Sequence, residues 1–191
     1  MSAIESFTVF NGVRQIATGD LLQAAQAAFA ETRRTESPVL ILDDLTGSPV
    51  ELDLRHSADL AAAGYRARMP LQEPATMRSG PGRPKLGVIA REVTLLPRHW
   101  EWLAGQPGGA SAALRRLVED ARRANEAPDR TREGQQCLYS AMSVLAGDLP
   151  AFEEATRALF ANDAQRLIPI FADWPTDIAV YLGRLLRAYL A

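Results

Sequence analysis

The chain predicts an α+β fold: a small N-terminal β-β-α-β-β unit, a central strand-helix-helix and a C-terminal helical bundle. Three observations carry this. Short branched runs separated by turn signals crowd into residues 1–55. One further branched run, Val88 to Leu96, precedes Pro97 and two amphipathic stretches. From residue 133 onward the apolar residues recur at helical spacing. With 191 residues the chain can bury one substantial core or two small ones. The patterns divide it into a small α/β unit (1–65), a linker (66–82), the strand-helix-helix (83–125) and the bundle (130–191).

Each element has its own signal. Phe7 to Phe10 and Val13 to Ala17 flank Asn11-Gly12, a hairpin pair because both positions tolerate positive φ. Asp20 is placed to cap a helix whose Leu21, Ala24, Ala25, Ala28 and Phe29 share one face. VLILDD (Val39 to Asp44) is a continuous apolar strand, and TGSP turns the chain into the alternating strand Val50 to Leu54. Asp59 to Tyr65 forms a short Ala-rich helix, followed by the aperiodic Pro- and Gly-rich ARMPLQEPATMRSGPG.

In the bundle, Cys137, Leu138, Ala141, Val144 and Leu145 make one apolar stripe, closed by Gly147. Phe152, Ala155, Leu159 and Phe160 make the next, ended at Asn162-Asp163. Leu167, Ile170 and Phe171 lie on a shorter helix that Pro169 disturbs if it falls past the first turn. Trp174-Pro175-Thr176 starts the last helix. Short connections of this kind favour antiparallel neighbours.

The central segment orders its parts as strand, Pro97-started helix, Gln106-Pro-Gly-Gly turn and a second helix capped by Ser111. Leu114, Leu117, Val118 and Ala121 recur at i, i+3, i+4, i+7, and NEAPDRTREG reads as a polar break after it. This order resembles a ribbon-helix-helix module, in which two strands pair across a dimer and enter the major groove. The resemblance implies groove or phosphate contacts from Arg91, Arg115 and Arg116. Against base readout, Arg91, Val93 and Leu95 alternate with Glu92, Thr94 and Leu96, so neither strand face is cleanly polar. The same unit also suits a dimer interface without DNA. Gly82-Arg83-Pro84-Lys85 resembles an AT-hook, which adds Arg83 and Lys85 as minor-groove contacts, but reads more simply as a Pro-fixed turn before a strand. Trp100 and Trp102 lie two positions apart, so one is expected in the core and the other as an interface anchor.

Composition narrows the function classes. Apolar content of 47% and charged content of 23% exclude wholesale disorder. No apolar run approaches the ~20 residues that span a bilayer, and the start lacks a secretory pattern. The lone Cys137 excludes an internal disulfide framework and fits a reducing cytoplasm of bacterial type. The net charge of −2 hides an asymmetry: residues 66–132 carry 13 basic and 7 acidic side chains between acidic flanks. Such a basic middle suits an anionic partner, or the acidic flanks of the same fold or of a second subunit.

Catalytic signals are weak. VLILDD has the form of a Walker B strand, but no Gly-rich loop ending in Lys-Ser or Lys-Thr accompanies it. Asp43, Asp44, Glu51 and Asp53 read more simply as a solvated strand face than as a cation site. His56 and His99 have no second ligand at metal spacing, and Cys137 falls on an apolar stripe. No catalytic residue, metal or cofactor is expected, and the chain leans away from being an enzyme.

LDDLTGSPVELDLR, the whole stretch from Gly82 to Arg123, AGDLPAFEEATRALFANDAQRL and DWPTDI together resemble the bacterial domain-of-unknown-function family 2239. That resemblance covers most of the chain and implies no activity or catalytic residue. The expectation is therefore a cytoplasmic DNA-binding or regulatory protein acting as a homodimer. The alternative is a non-catalytic interaction module that self-associates through its central helices.

Overall fold

A computed structural model describes residues 6–69 and 91–189. It confirms the α+β class: among the described residues, a three-stranded antiparallel sheet is followed or interrupted by seven helices. Met1–Met69 together with Pro128–Ala191 form one compact unit, and Pro70–Ala127 a second.

In the first unit, β1 (Phe7–Asn11) lies between β2 (Arg14–Gly19) and β3 (Val39–Asp43). Four consecutive β1 residues, Phe7 to Phe10, are buried. The reason is that both faces of the sheet are covered. Phe7 and Val9 join Ile41 in a core with α1 (Leu21–Thr32) and α2 (Ala58–Arg68). Phe10 joins Leu42 in a larger core built from the C-terminal helices. A central strand covered twice reads as an apolar run rather than an alternation. Each fully buried Leu, Ile or Phe of these cores contributes ~1.5–3 kcal/mol of transfer free energy.

The N-terminal hairpin is set one residue away from the sequence expectation. Asn11 pairs with Arg14, so the two-residue loop is Gly12-Val13, with Gly12 at φ +58° in the first central position. Asn11 instead donates from its side chain to Glu31 Oε1 at 2.9 Å. Asp20 caps α1 as expected, in a reciprocal capping box with Gln23. The expected fourth strand, Val50 to Leu54, does not form. After β3 the chain makes an isolated bridge, Leu42 to Pro49, flanked by backbone bonds from Asp43 N to Ser48 O and from Val50 N to Ile41 O.

The remaining helices are α3 (Pro97–Ala104), α4 (Gly109–Ala146), α5 (Phe152–Phe160), α6 (Ala164–Ala172) and α7 (Thr176–Tyr189). α4 runs unbroken through NEAPDRTREG, including Pro128, where a break is expected from sequence. Proline removes one helical hydrogen bond there, but a long helix meets its nucleation cost only once. Pro169 likewise lies inside α6, past its first turn. The expected strand Val88 to Leu96 is also corrected. Arg91 to Leu96 carries no strand pairing, and Val88 to Ala90 lie outside the described residues. The single chain therefore shows no paired ribbon over residues 91–96.

Candidate functional site

The second unit offers an apolar surface. Pro97 starts α3 at its first turn, and α3 ends at Gly105. Gly108 and Gly109, at φ +84° and +74°, then turn the chain into α4 with backbone that L side chains rarely adopt. The two helices and the segment before them line a groove of about 270 Å³ with Leu95, His99, Trp102, Leu103, Leu114 and Leu117.

Little of this apolar surface is covered. Among the apolar side chains at 91–127, Leu103 and Ala113 are the buried ones. Trp102 is 55% exposed, Leu117 46% and Val118 64%. Trp100 is exposed as well, so neither tryptophan is a core residue, contrary to the expectation that one would be. Leu103, between them and the next turn, takes that place. The α4 stripe read from the sequence is thus present but largely unpacked.

Charges frame the stripe. Arg91, Arg115 and Arg116 are exposed, while Arg83 and Lys85 lie outside the described residues. Glu119 accepts from Arg122 Nη2 at 2.9 Å and from Arg123 Nε at 3.2 Å. The Arg122 hydrogen bond, with the charges of Arg122 and Arg123, holds the Glu119 carboxyl below its usual value.

A second, buried constellation lies in the first unit. Asp44, just past β3, accepts from Ser6 Oγ at 2.8 Å, from Thr8 Oγ1 at 2.8 Å and from Arg184 Nη2 at 3.0 Å. Arg184 also donates to Thr8 Oγ1 at 2.9 Å. The Tyr181 ring packs edge-on against Phe10 with centroids 5.3 Å apart. Its hydroxyl is buried with no hydrogen-bond partner among the described residues, and burial followed by the Asp44 carboxylate pushes its pKa well up. Burial also pushes the Cys137 thiol up to about 12, with Asp43 and Asp44 adding to the shift. Such a thiol stays protonated and packs as an apolar group.

Asp43, Asp44, Glu51 and Asp53 do not converge. Asp43 caps its own turn at Leu45 and Thr46, Asp53 binds Arg55, and Glu51 is exposed. His56 and His99 are both exposed, and His99 borders the apolar groove. Among the described residues no cluster of three His, Cys, Asp or Glu could hold a metal. No helix there is long and apolar enough to cross a membrane.

Sequence reasoning overlooked Thr8, Tyr181 and Arg184 as a group. The available signal was a hydroxyl inside the apolar run FTVF and an arginine within YLGRLLRAYL. Neither indicates its partner, which is 36 residues away for Thr8 and 140 for Arg184.

A sheet covered by helices on both faces, with a separate unit of exposed apolar surface, defines an α+β protein. A family model described as "uncharacterized protein conserved in bacteria (DUF2239)" matches residues 6–186. The chain belongs to that family. No curated protein and no solved structure matches it.

Proposed function

We propose that this protein is a non-catalytic interaction module that self-associates through its central helices. The observation that carries the reading is the uncovered groove formed by Leu95, Trp102, Leu114 and Leu117 with Val118 beside it. A helical pair with so few buried apolar side chains lacks a core of its own. Covering one Trp or Leu completely is worth ~1.5–3 kcal/mol, so a second apolar surface supplies what the unit lacks. Light scattering of the wild type against Val118→Asp and Trp102→Ala tests this. The expected result is a wild-type dimer and monomeric variants. Val118 is already largely exposed in the single chain, so its substitution leaves the folded monomer intact. A wild type that stays monomeric at about 100 μM, a concentration at which even weak (~10 μM) dimers form, overturns the reading.

A second reading has the same unit bind DNA through Arg83, Lys85, Arg91, Arg115 and Arg116. Its support is the exposure of Arg91, Arg98, Arg115 and Arg116, together with the basic balance of residues 66–132. Phosphate contacts by these side chains release counterions, so affinity must fall steeply with salt. Gel shifts with genomic DNA at rising salt test it. Absence of binding at low salt, or binding indifferent to salt, removes DNA as the partner.

A further inference from the structure

We infer that α4 carries a salt-sensitive opening point at residues 119–132, where ion pairs along the helix, rather than packing, hold the chain helical around Pro128. Such a device is independent of self-association.

No residue from 119 to 132 falls in a core. Every residue from Asp120 to Pro128 is exposed, a length of roughly two and a half helical turns. Burial resumes at Gly134, and Cys137, Leu138, Ala141 and Met142 then pack into the larger core. Helices in proteins persist mainly because one face packs, and short helices without that support are marginal in water. Two local features weaken this one further. Pro128 has no N–H to offer the Ala124 carbonyl, and its ring crowds the preceding turn. The Asn125 side chain donates to the Ala121 carbonyl at 2.8 Å, a bond that competes with the helical ladder.

What opposes opening is charge. Arg116, Glu119, Arg123, Glu126, Arg130 and Glu133 alternate in sign at steps of three and four, the spacing that makes neighbours on a helix surface. Glu119 accepts from Arg122 and Arg123, and Asp129 accepts from Arg132 Nη1 at 2.9 Å. The recorded pairs thus lie on both sides of Pro128. Their arginine side chains are 71–74% exposed, so the attraction acts through water and is screened by salt. Salt therefore removes what holds this stretch helical, while the part of α4 beyond Gly134 stays packed through Cys137, Leu138 and Ala141. One segment of the helix opens without unfolding the core, as local opening elsewhere in proteins does.

Hydrogen exchange of the full chain, followed by mass spectrometry and normalised to intrinsic rates, reads the opening. Amides of residues 122–131 are expected to exchange faster than those of 138–146 in the same molecule. Raising NaCl from about 0.01 M to about 1 M shortens the screening length from roughly 30 Å to roughly 3 Å. Over that range the 122–131 amides should speed up about threefold or more, because several surface pairs weaken together, whereas 138–146 should not change. Arg122→Glu combined with Arg123→Glu should raise exchange at low salt and abolish the acceleration by salt. Pro128→Ala restores the missing donor and should slow the same amides about tenfold or more. These variants alter only exposed side chains, so the core stays folded in each. Protection of 122–131 equal to that of 138–146 at both salt concentrations overturns the inference. A salt response that survives the double charge reversal overturns it as well, as does an unchanged exchange rate in Pro128→Ala.

Discussion

Arg184 Nη2 lies 3.0 Å from Asp44 Oδ2 and 2.9 Å from Thr8 Oγ1, tying the last helix to the sheet across 140 and 176 residues of chain. The pair joins α7 to the central strand and to the turn after β3. It also supplies counter-charge to a carboxylate that is 7% exposed. Hydroxyls from Ser6 and Thr8 complete the arrangement, so the buried charge is compensated by donors from the β1 segment and from α7.

Removing that guanidinium has a defined cost. Arg184→Met keeps the aliphatic stem and leaves Asp44 with its hydroxyl donors. Because the arginine is partly exposed, the expected loss is about 1–3 kcal/mol rather than the larger figure for a fully buried pair. Urea unfolding measures it, with the exposed Arg187→Met as a control that should stay within about 0.5 kcal/mol. Equal midpoints for the two variants would show that the bond contributes nothing.

Two glycines with similar backbone angles should respond differently. Gly47 has φ +67°, and a Cβ there would overlap the Cys137 carbonyl oxygen on α4. Gly12 has φ +58° with nothing within 4 Å of a new Cβ. Gly12→Ala therefore costs only backbone strain, about 1–3 kcal/mol. Gly47→Ala adds a clash against a rigid helix, and should cost at least about 2 kcal/mol more. Thermal unfolding compares them, and similar losses would contradict the close approach of this turn to α4.

The buried Tyr181 hydroxyl makes the opposite forecast. It occupies interior space without a hydrogen bond, whereas its ring packs against Phe10. Tyr181→Phe keeps the ring and removes the unsatisfied group, so stability should be unchanged or rise by up to about 2 kcal/mol. A clear loss in denaturant midpoint would mean that the hydroxyl has a partner.

Acid stability should depend on Glu31. Its carboxylate binds Asn11 Nδ2 at 2.9 Å, Arg14 Nη2 at 3.1 Å and Arg34 Nη1 at 3.5 Å. The Asn11 hydrogen bond and then the charges of Arg34 and Arg14 hold its pKa below the ordinary 4.5. A depressed folded value means that the contribution is complete above 4.5 and is lost as pH falls through the folded value. The stability gap between wild type and Glu31→Gln should thus be widest near neutral pH and narrow on acidification. Urea midpoints between about pH 7 and pH 3 follow that gap, and a constant difference would contradict the assignment.

Much of the fold could be read locally. Asp20 marked the start of α1, Trp174-Pro175-Thr176 the start of α7, and the run VLILD marked β3. Local signals failed where a distant surface decided the outcome. Val50 to Leu54 alternates like a strand, yet Val50 makes its only backbone bond into β3 at Ile41, and the residues beyond it carry no ladder. Asn125 and Pro128 look like helix breakers, yet α4 continues through both, because propensity is a weak prior within a long helix. At the candidate interface, the stripe Leu114, Leu117, Val118, Ala121 was legible from spacing. Its exposure was not, since burial depends on what the rest of the chain places against it.

The sequence by itself determined the α+β class, the Asp20 cap of α1 and the apolar stripe of residues 114–121, because these depend on neighbours within a few residues. Only the tertiary structure decided that Thr8, Asp44 and Arg184 meet, that Cys137 is an inert core thiol, and that Trp102, Leu117 and Val118 are left exposed. Those outcomes follow from contacts between segments far apart in the chain, where solvent exclusion and charge pairing override any local pattern.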